Sequence, residues 1–245
     1  MHKQIISIHG RAESGISRPF LCQDESGQSW FVKRSNVTWD QLVLEFVLGN
    51  LAMKFGLPSA SFALLEIPEL LSRRTLAKDR GDFEPGTAFG SRRIPFGEDL
   101  GETHIRHIPD ETKAEVFCFD WWTANSDRRL LKTGGSPNLI WDPELHSFFV
   151  IDHDRALDPD FEAAEFFREH VFRDIRPFLE RQTVMKLRQR FESAVKTLPE
   201  IWKQLPGEWL ADESGTARAT LTPQSITKSL LEPGNRPVEG VLAVL

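Results

Sequence analysis

The chain has 245 residues, of which 40% are apolar and 27% charged, enough to bury a core and too apolar for a mostly disordered chain. Thirty Lys and Arg against 36 Asp and Glu leave a formal net charge of −6, which argues against a general nucleic-acid coat or a polybasic membrane binder. Cys22 and Cys118 form neither a Cys-x-x-Cys pair nor a disulfide framework, Glu45 interrupts the best apolar run, and Ile5, Ile6 and Ile8 are too few for a signal peptide. A cytoplasmic protein is expected, with no membrane association and no direct nucleic-acid binding. Its length suggests one domain with two lobes.

Short β-like runs come first, at Gln4–Ile8, Pro19–Gln23 and Ser29–Lys33. The loop His9–Arg18 separates the first two, and the turn Asp24-Glu25-Ser26-Gly27 separates the second and third. A helix follows with both ends marked. Thr38 and Gln41 have capping-box spacing, and Gly56-Leu57-Pro58 supplies a terminal glycine with a proline beyond it. Its apolar residues lie on most sides, so burial is expected.

Phe62–Ile67 returns to a strand pattern, and residues 70–101 read as a connector in which Gly86–Ser91 is extended. A helix is expected from Asp110 to about Thr123, then a polar loop over Asn125–Pro137. Asn138–Trp141 and Phe148–Ile151 form a hairpin around Asp142-Pro143-Glu144. Residues 160–205 are helical by period, and the remainder reads as loops with a short helix. Strands first and helices later give an α+β fold, not alternating βαβ units.

Several motifs fail. Gly10–Ser17 has the glycine spacing of a Walker loop, but Ile16 stands where the lysine belongs and Pro19 blocks an immediate helix. His104 and His107 lack companion metal ligands in the sequence.

Other residues combine better. Lys33 ends an apolar strand, and Glu45 is a lone acid in an apolar helix, where a carboxylate is costly unless paired. Asn125-Ser126-Asp127-Arg128 follows a tryptophan-rich helix, Asn138 opens the hairpin, and Asp152 follows its second strand. Asp and Asn oxygens suit Mg²⁺ with phosphates better than zinc, and Asp154 is a further oxygen ligand to consider. A strand lysine with a helix glutamate, a loop aspartate, an asparagine and a strand-end aspartate is the part list of a protein-kinase-like phosphotransferase.

The chain resembles the HipA-like kinases. The resemblance is carried by Gly15–Leu21, Phe31-Val32-Lys33, Glu45 with Leu51-Ala52, Phe55–Pro58, Phe119–Arg128, Asn138-Leu139 and Val150–His153. It implies a two-lobed protein-kinase-like fold, with a β-rich N-lobe at 1–85, a mainly helical C-lobe at 86–210 and a tail at 211–245. It also implies ATP with Mg²⁺ as cofactors and transfer to Ser or Thr hydroxyls of a protein substrate. Some members are toxins of toxin–antitoxin pairs, so an antitoxin-type partner is within its scope.

Position by position, Lys33 resembles the phosphate-contacting lysine and Glu45 its helix partner. Asp127 resembles the catalytic base, and Arg128 the residue that positions the catalytic loop. Asn138 and Asp152 resemble the metal ligands, while Ser14, Gly15 and Ser17 fall in the phosphate-covering loop, whose backbone N–H groups would bind. Asn138 follows Asp127 by eleven positions, where protein kinases use about five, so the loop must bulge to return it. Two other readings stay open: a nucleotide-binding pseudokinase that serves as a partner-binding module, and a kinase of a small-molecule hydroxyl.

Overall fold

In the computed structural model, residues 3–13, 16–130, 137–232 and 236–242 are described. Strands β1 (Lys3–Arg11), β2 (Phe20–Asp24) and β3 (Ser29–Lys33) pair antiparallel in succession. The β2–β3 turn is set by Asp24, whose Oδ1 accepts from the Ser26 N–H at 2.9 Å, the Ser26 hydroxyl at 2.6 Å and the Gln28 N–H at 2.9 Å. The same tetrapeptide recurs at Asp212-Glu213-Ser214-Gly215, and there Asp212 Oδ1 accepts from Ser214 N–H, Ser214 Oγ and Thr216 N–H. One local sequence thus closes the same turn twice.

Helix α1 (Trp39–Phe55) begins at the Thr38–Gln41 capping box: the Gln41 N–H donates to Thr38 Oγ1 at 3.2 Å and the Thr38 N–H to Gln41 Oε1 at 2.9 Å. It ends at Gly56, whose φ of +102° suits a residue without Cβ, and the Leu57 N–H returns to the Ala52 carbonyl at 3.0 Å. Residues 42–49 are all buried. Strand β4 (Phe62–Ile67), helix α2 (Glu69–Arg74), a 3₁₀ segment at Ala77–Asp82 and strand β5 (Gly86–Arg92) follow.

The five strands close into a barrel in the order β1-β2-β3-β5-β4. Closure depends on the parallel pairing of Lys3 with Leu65 and Gln4 with Glu66. A β-rich first region is what the sequence predicts, but a closed barrel is more than its local patterns specify. The interior holds Ile5, Phe20, Cys22, Trp30, Val32, Leu65, Ile67, Phe83 and Ala88. Gly90 on β5 leaves room there: a Cβ would lie 2.2 Å from Cδ1 of the buried Leu65, which would have to shift.

Beyond β5 come β6 (Glu98–Asp99), α3 (Glu102–Ile105), α4 (Asp110–Trp122), β7 (Leu139–Asp142) and β8 (Ser147–Val150). The expected hairpin is the β7–β8 pair, to which β6 adds a third strand. Helices α5 (Ala163–Glu169), α6 (Arg181–Val195) and α7 (Leu198–Trp202) follow, with a 3₁₀ segment at Arg173–Phe178. The last part carries α8 (Gly207–Leu210), α9 (Pro223–Leu231) and α10 (Val238–Val241).

The chain divides into two compact units. The first comprises Met1–Phe46, Ala60–Pro95 and Leu205–Thr220; the second comprises Val47–Ser59, Phe96–Gln204 and Leu221–Leu245. Within the first, Leu205–Thr220 is fastened to the strand-rich part by α8. Glu208 Oε1 accepts from the Thr87 N–H at 2.8 Å, Glu208 Oε2 from Arg34 Nη2 at 2.8 Å, and Trp209 Nε1 donates to the Thr87 carbonyl at 2.8 Å.

Within the second, Phe119 and Trp122 of α4 pack on Phe191 of α6 at 5.7 and 5.3 Å, and Phe55 lies 5.5 Å from Phe119. Trp121 and Trp122 are core residues, with Trp121 stacked on Phe167 at 4.9 Å. Of the tail, Leu221–Leu245 belongs to this unit, and its Val241 is fully buried. Among the described residues, no helix is long and apolar enough to cross a membrane.

Candidate active site

In the first unit, alternation along β3 puts Lys33 on the face opposite Trp30 and Val32 of the barrel interior, and there its Nζ meets Glu45 Oε1 at 2.6 Å. Their side chains are 7% and 3% exposed. Two charges at that depth are costly unless paired, and this contact offsets part of the cost. Nearby, the loop between β1 and β2 is tied at its base. The Ala12 N–H donates to the Pro19 carbonyl at 2.9 Å, Arg11 Nε to the Arg18 carbonyl at 2.9 Å, and Asn36 Nδ2 to the Ser17 carbonyl at 2.8 Å. Arg11 itself bridges to Asp79 and Asp82. Of the three residues expected in the phosphate-covering loop, Ser17 is placed here, while Ser14 and Gly15 lie outside the described residues.

The second unit holds the other residues. Helix α4 stops at Trp122, and Ala124 takes a φ of +48°, turning the chain so that the Asn125 N–H returns to the Asp120 carbonyl at 2.9 Å. Asn125 Oδ1 then accepts the Asp127 N–H at 3.2 Å, an Asx turn that presents the Asp127 side chain. Asp127 Oδ2 accepts from Asn138 Nδ2 at 3.1 Å. Asn138 thus lies beside Asp127 despite the eleven positions that separate them in sequence; residues 131–136 lie outside the described ones. Among the described residues, Asp127 Oδ1 has no hydrogen-bond partner.

Asn138 and Asp152 flank the β7–β8 hairpin, and both adopt left-handed backbone, with φ of +52° and +58°. The Ile151 N–H donates to the Asn138 carbonyl at 3.1 Å, which places the two residues side by side. The Asp154 N–H reaches Asp152 Oδ1 at 3.4 Å, and oxygens of these two carboxylates lie within 4.8 Å of each other. The Asn138 amide nitrogen is engaged by Asp127, so oxygen is the atom Asn138 can offer a cation. The local donors are all hard oxygens, a set that fits Mg²⁺.

Arg128 does not project outward. It is 1% exposed, and its Nη1 donates to the carbonyls of Asn138 at 2.7 Å and of Pro137 and Ile151 at 3.3 Å. Its Nε donates to Asp120 at 2.7 Å. The sequence leaves Asp120 undecided between a brace and a solvent-facing acid; it is fully buried beneath the loop. His170 goes unnoticed in the sequence, yet it bonds Asp120 at 3.0 Å. The available signal was a single histidine among Phe166, Phe167, Val171 and Phe172.

This geometry accords with the comparisons. A family profile described as HipA-like kinase matches residues 5–236. No curated protein matches the chain. Among solved structures, the fold is similar to the proinflammatory kinase CtkA of Helicobacter pylori, with a TM-score of 0.58 at 10% identity, covering 98% of this chain and 94% of that one. At that identity the likeness concerns the fold alone, an α+β, kinase-like fold, whereas the profile spans nearly the whole sequence. The chain belongs to the HipA-like kinase family.

Proposed function

We propose that the protein is an ATP- and Mg²⁺-dependent kinase that transfers the γ-phosphoryl group to a Ser or Thr hydroxyl of a protein substrate in the cytoplasm. The observation that carries this reading is Asp127, a half-exposed carboxylate fixed through its backbone by Asn125 and through Oδ2 by Asn138. Its Oδ1 would accept the proton of the attacking hydroxyl, and the two tethers hold it in one orientation. Lys33, kept by Glu45, would contact the phosphates as a fixed cation. Asn138 and Asp152 would hold the metal, with Asp154 beside them. When bound, Mg²⁺ would neutralise charge developing on the phosphate oxygens. Cys22 and Cys118 are buried free thiols pushed up to about 12 by burial, which suits a reducing compartment.

The test is incubation of cell extract with γ-labelled ATP and Mg²⁺, comparing the wild type with Asp127→Asn, followed by mapping of labelled sites. Label on Ser or Thr that requires the wild type is expected. Label only on a metabolite would overturn the protein acceptor, and equal label with Asp127→Asn would overturn the role of Asp127.

A further inference from the structure

We propose that Asp120 is the positioning residue of this site, held by His170 and acting through Asn125 and Arg128. This rests on the kinase reading above. Asp120 is fully buried, and both of its oxygens are engaged: Oδ1 by Asn125 Nδ2 at 3.1 Å, Oδ2 by Arg128 Nε at 2.7 Å and His170 Nε2 at 3.0 Å. Two branches leave this carboxylate. Along one, Asn125 takes the Asp127 N–H and sets the proton acceptor. Along the other, Arg128 Nη1 gathers the carbonyls of Asn138 and of Ile151, the residue before Asp152. The proton acceptor and both oxygen ligands therefore share one anchor, although they are spread over 26 positions from Asp127 to Asp152.

His170 fixes the anchor in turn. Its Nδ1 accepts the Phe172 N–H at 3.0 Å, so Nε2 carries the ring proton and donates to Asp120. Phe117 stands edge-on to the ring at 5.0 Å and Phe166 lies 4.8 Å away, which keeps the link dry. Burial alone would raise the Asp120 carboxyl, but the Arg128 charge and the His170 bond prevail and hold it below the usual carboxylate range.

The arrangement is poorly designed for stability alone. Arg128 Nη2 is buried with no hydrogen-bond partner among the described residues, and a buried ion pair is often no more stabilising than apolar side chains of similar volume. What the pair supplies is one fixed geometry for the loop. Displacement of a reacting group by about 1 Å can cost about 100-fold in rate.

Steady-state kinetics of Asp120→Asn, normalised to folded protein, test the proposal. The expected result is a fall in kcat of about 100-fold with KM for ATP changed by less than about threefold. Should Asp120→Asn not fold, the histidine pair decides: His170→Gln keeps an N–H donor and should retain most of kcat, while His170→Leu should lose at least about tenfold. Equal activity per folded molecule in all variants would overturn the proposal. If the wild type transfers no phosphate, the kinase reading fails separately, and hydrogen exchange still tests the positioning. Faster exchange confined to residues 125–130 and 150–154 in Asp120→Asn, or in His170→Leu where Asp120→Asn is unfolded, supports it; unchanged or uniformly raised exchange overturns it.

Discussion

Asp24→Asn removes one charge from the β2–β3 turn without changing its shape. Asp24 is fully buried; Oδ1 serves the Ser26–Gln28 turn, Oδ2 accepts Trp30 Nε1 at 2.9 Å, and the Lys3 ammonium lies 3.5 Å away. Burial would raise this carboxyl, but bonds from Ser26, Trp30 and the Gln28 and Ser26 N–H groups outweigh it and bring the pKa from 3.8 to about 2. Because the folded pKa is the lower one, the stabilisation is present above the unfolded value and is lost as pH falls through 3.8 towards 2. Nearly two pKa units amount to about 2.5 kcal/mol at pH 7 and about half of that at pH 3. The asparagine also turns an NH₂ group towards the Trp30 N–H, setting donor against donor. For a chain of this length the deficit corresponds to about 5–10 °C in Tm. Thermal unfolding of both proteins from pH 7 to pH 3 would show it. A deficit under about 0.5 kcal/mol at pH 7, or one that stays constant down to pH 3, would refute the reasoning.

Other expectations follow from single contacts. Gly90→Ala drives a methyl into Leu65 and should cost about 2 kcal/mol in urea unfolding, with part regained when Leu65→Ala is added. Glu45→Leu removes the carboxylate that meets Lys33 at 2.6 Å in a buried setting, and should lower stability by about 3 kcal/mol by the same assay. Burial lowers the His170 pKa despite the opposing pull of Asp120, so the unfolded chain binds the extra proton first; stability should fall as pH drops below about 6.5. A smaller Tm loss between pH 7 and pH 5.5 in His170→Gln than in the wild type would bear this out.

How much of this was legible depended on the range of the interaction involved. The α1 ends were readable because Thr38, Gln41 and Gly56 act within one turn of the helix, and β7 and β8 because Asp142 caps its own turn, accepting the Glu144 and Leu145 N–H groups. Barrel closure was not, since the β1–β4 pair joins residues some sixty positions apart and neither strand carries a local mark of its partner. The return of Leu205–Thr220 to the first unit was equally hidden; Trp209 and Glu208 find their partners at Thr87 and Arg34. Among the candidate residues, Lys33 and Glu45 of the first unit and Asp127, Asn138 and Asp152 of the second stood out because charged or amide groups at strand ends and in apolar helices need a reason. Asp120 stayed undecided and His170 unnoticed, because a buried carboxylate and imidazole that satisfy each other look, in sequence, like surface polar residues.

The account stands or falls on phosphotransfer by Asp127 and Asp152. Purified wild type, Asp127→Asn and Asp152→Asn should be incubated with Mg²⁺ and γ-labelled ATP, and ADP formation and label on protein followed together. Turnover in the wild type that is lost in both variants, with all three equally folded, is expected. Undiminished turnover in Asp127→Asn, or ATP that raises the Tm of the wild type with no phosphate leaving it, would contradict the assignment and leave a nucleotide-binding module in its place.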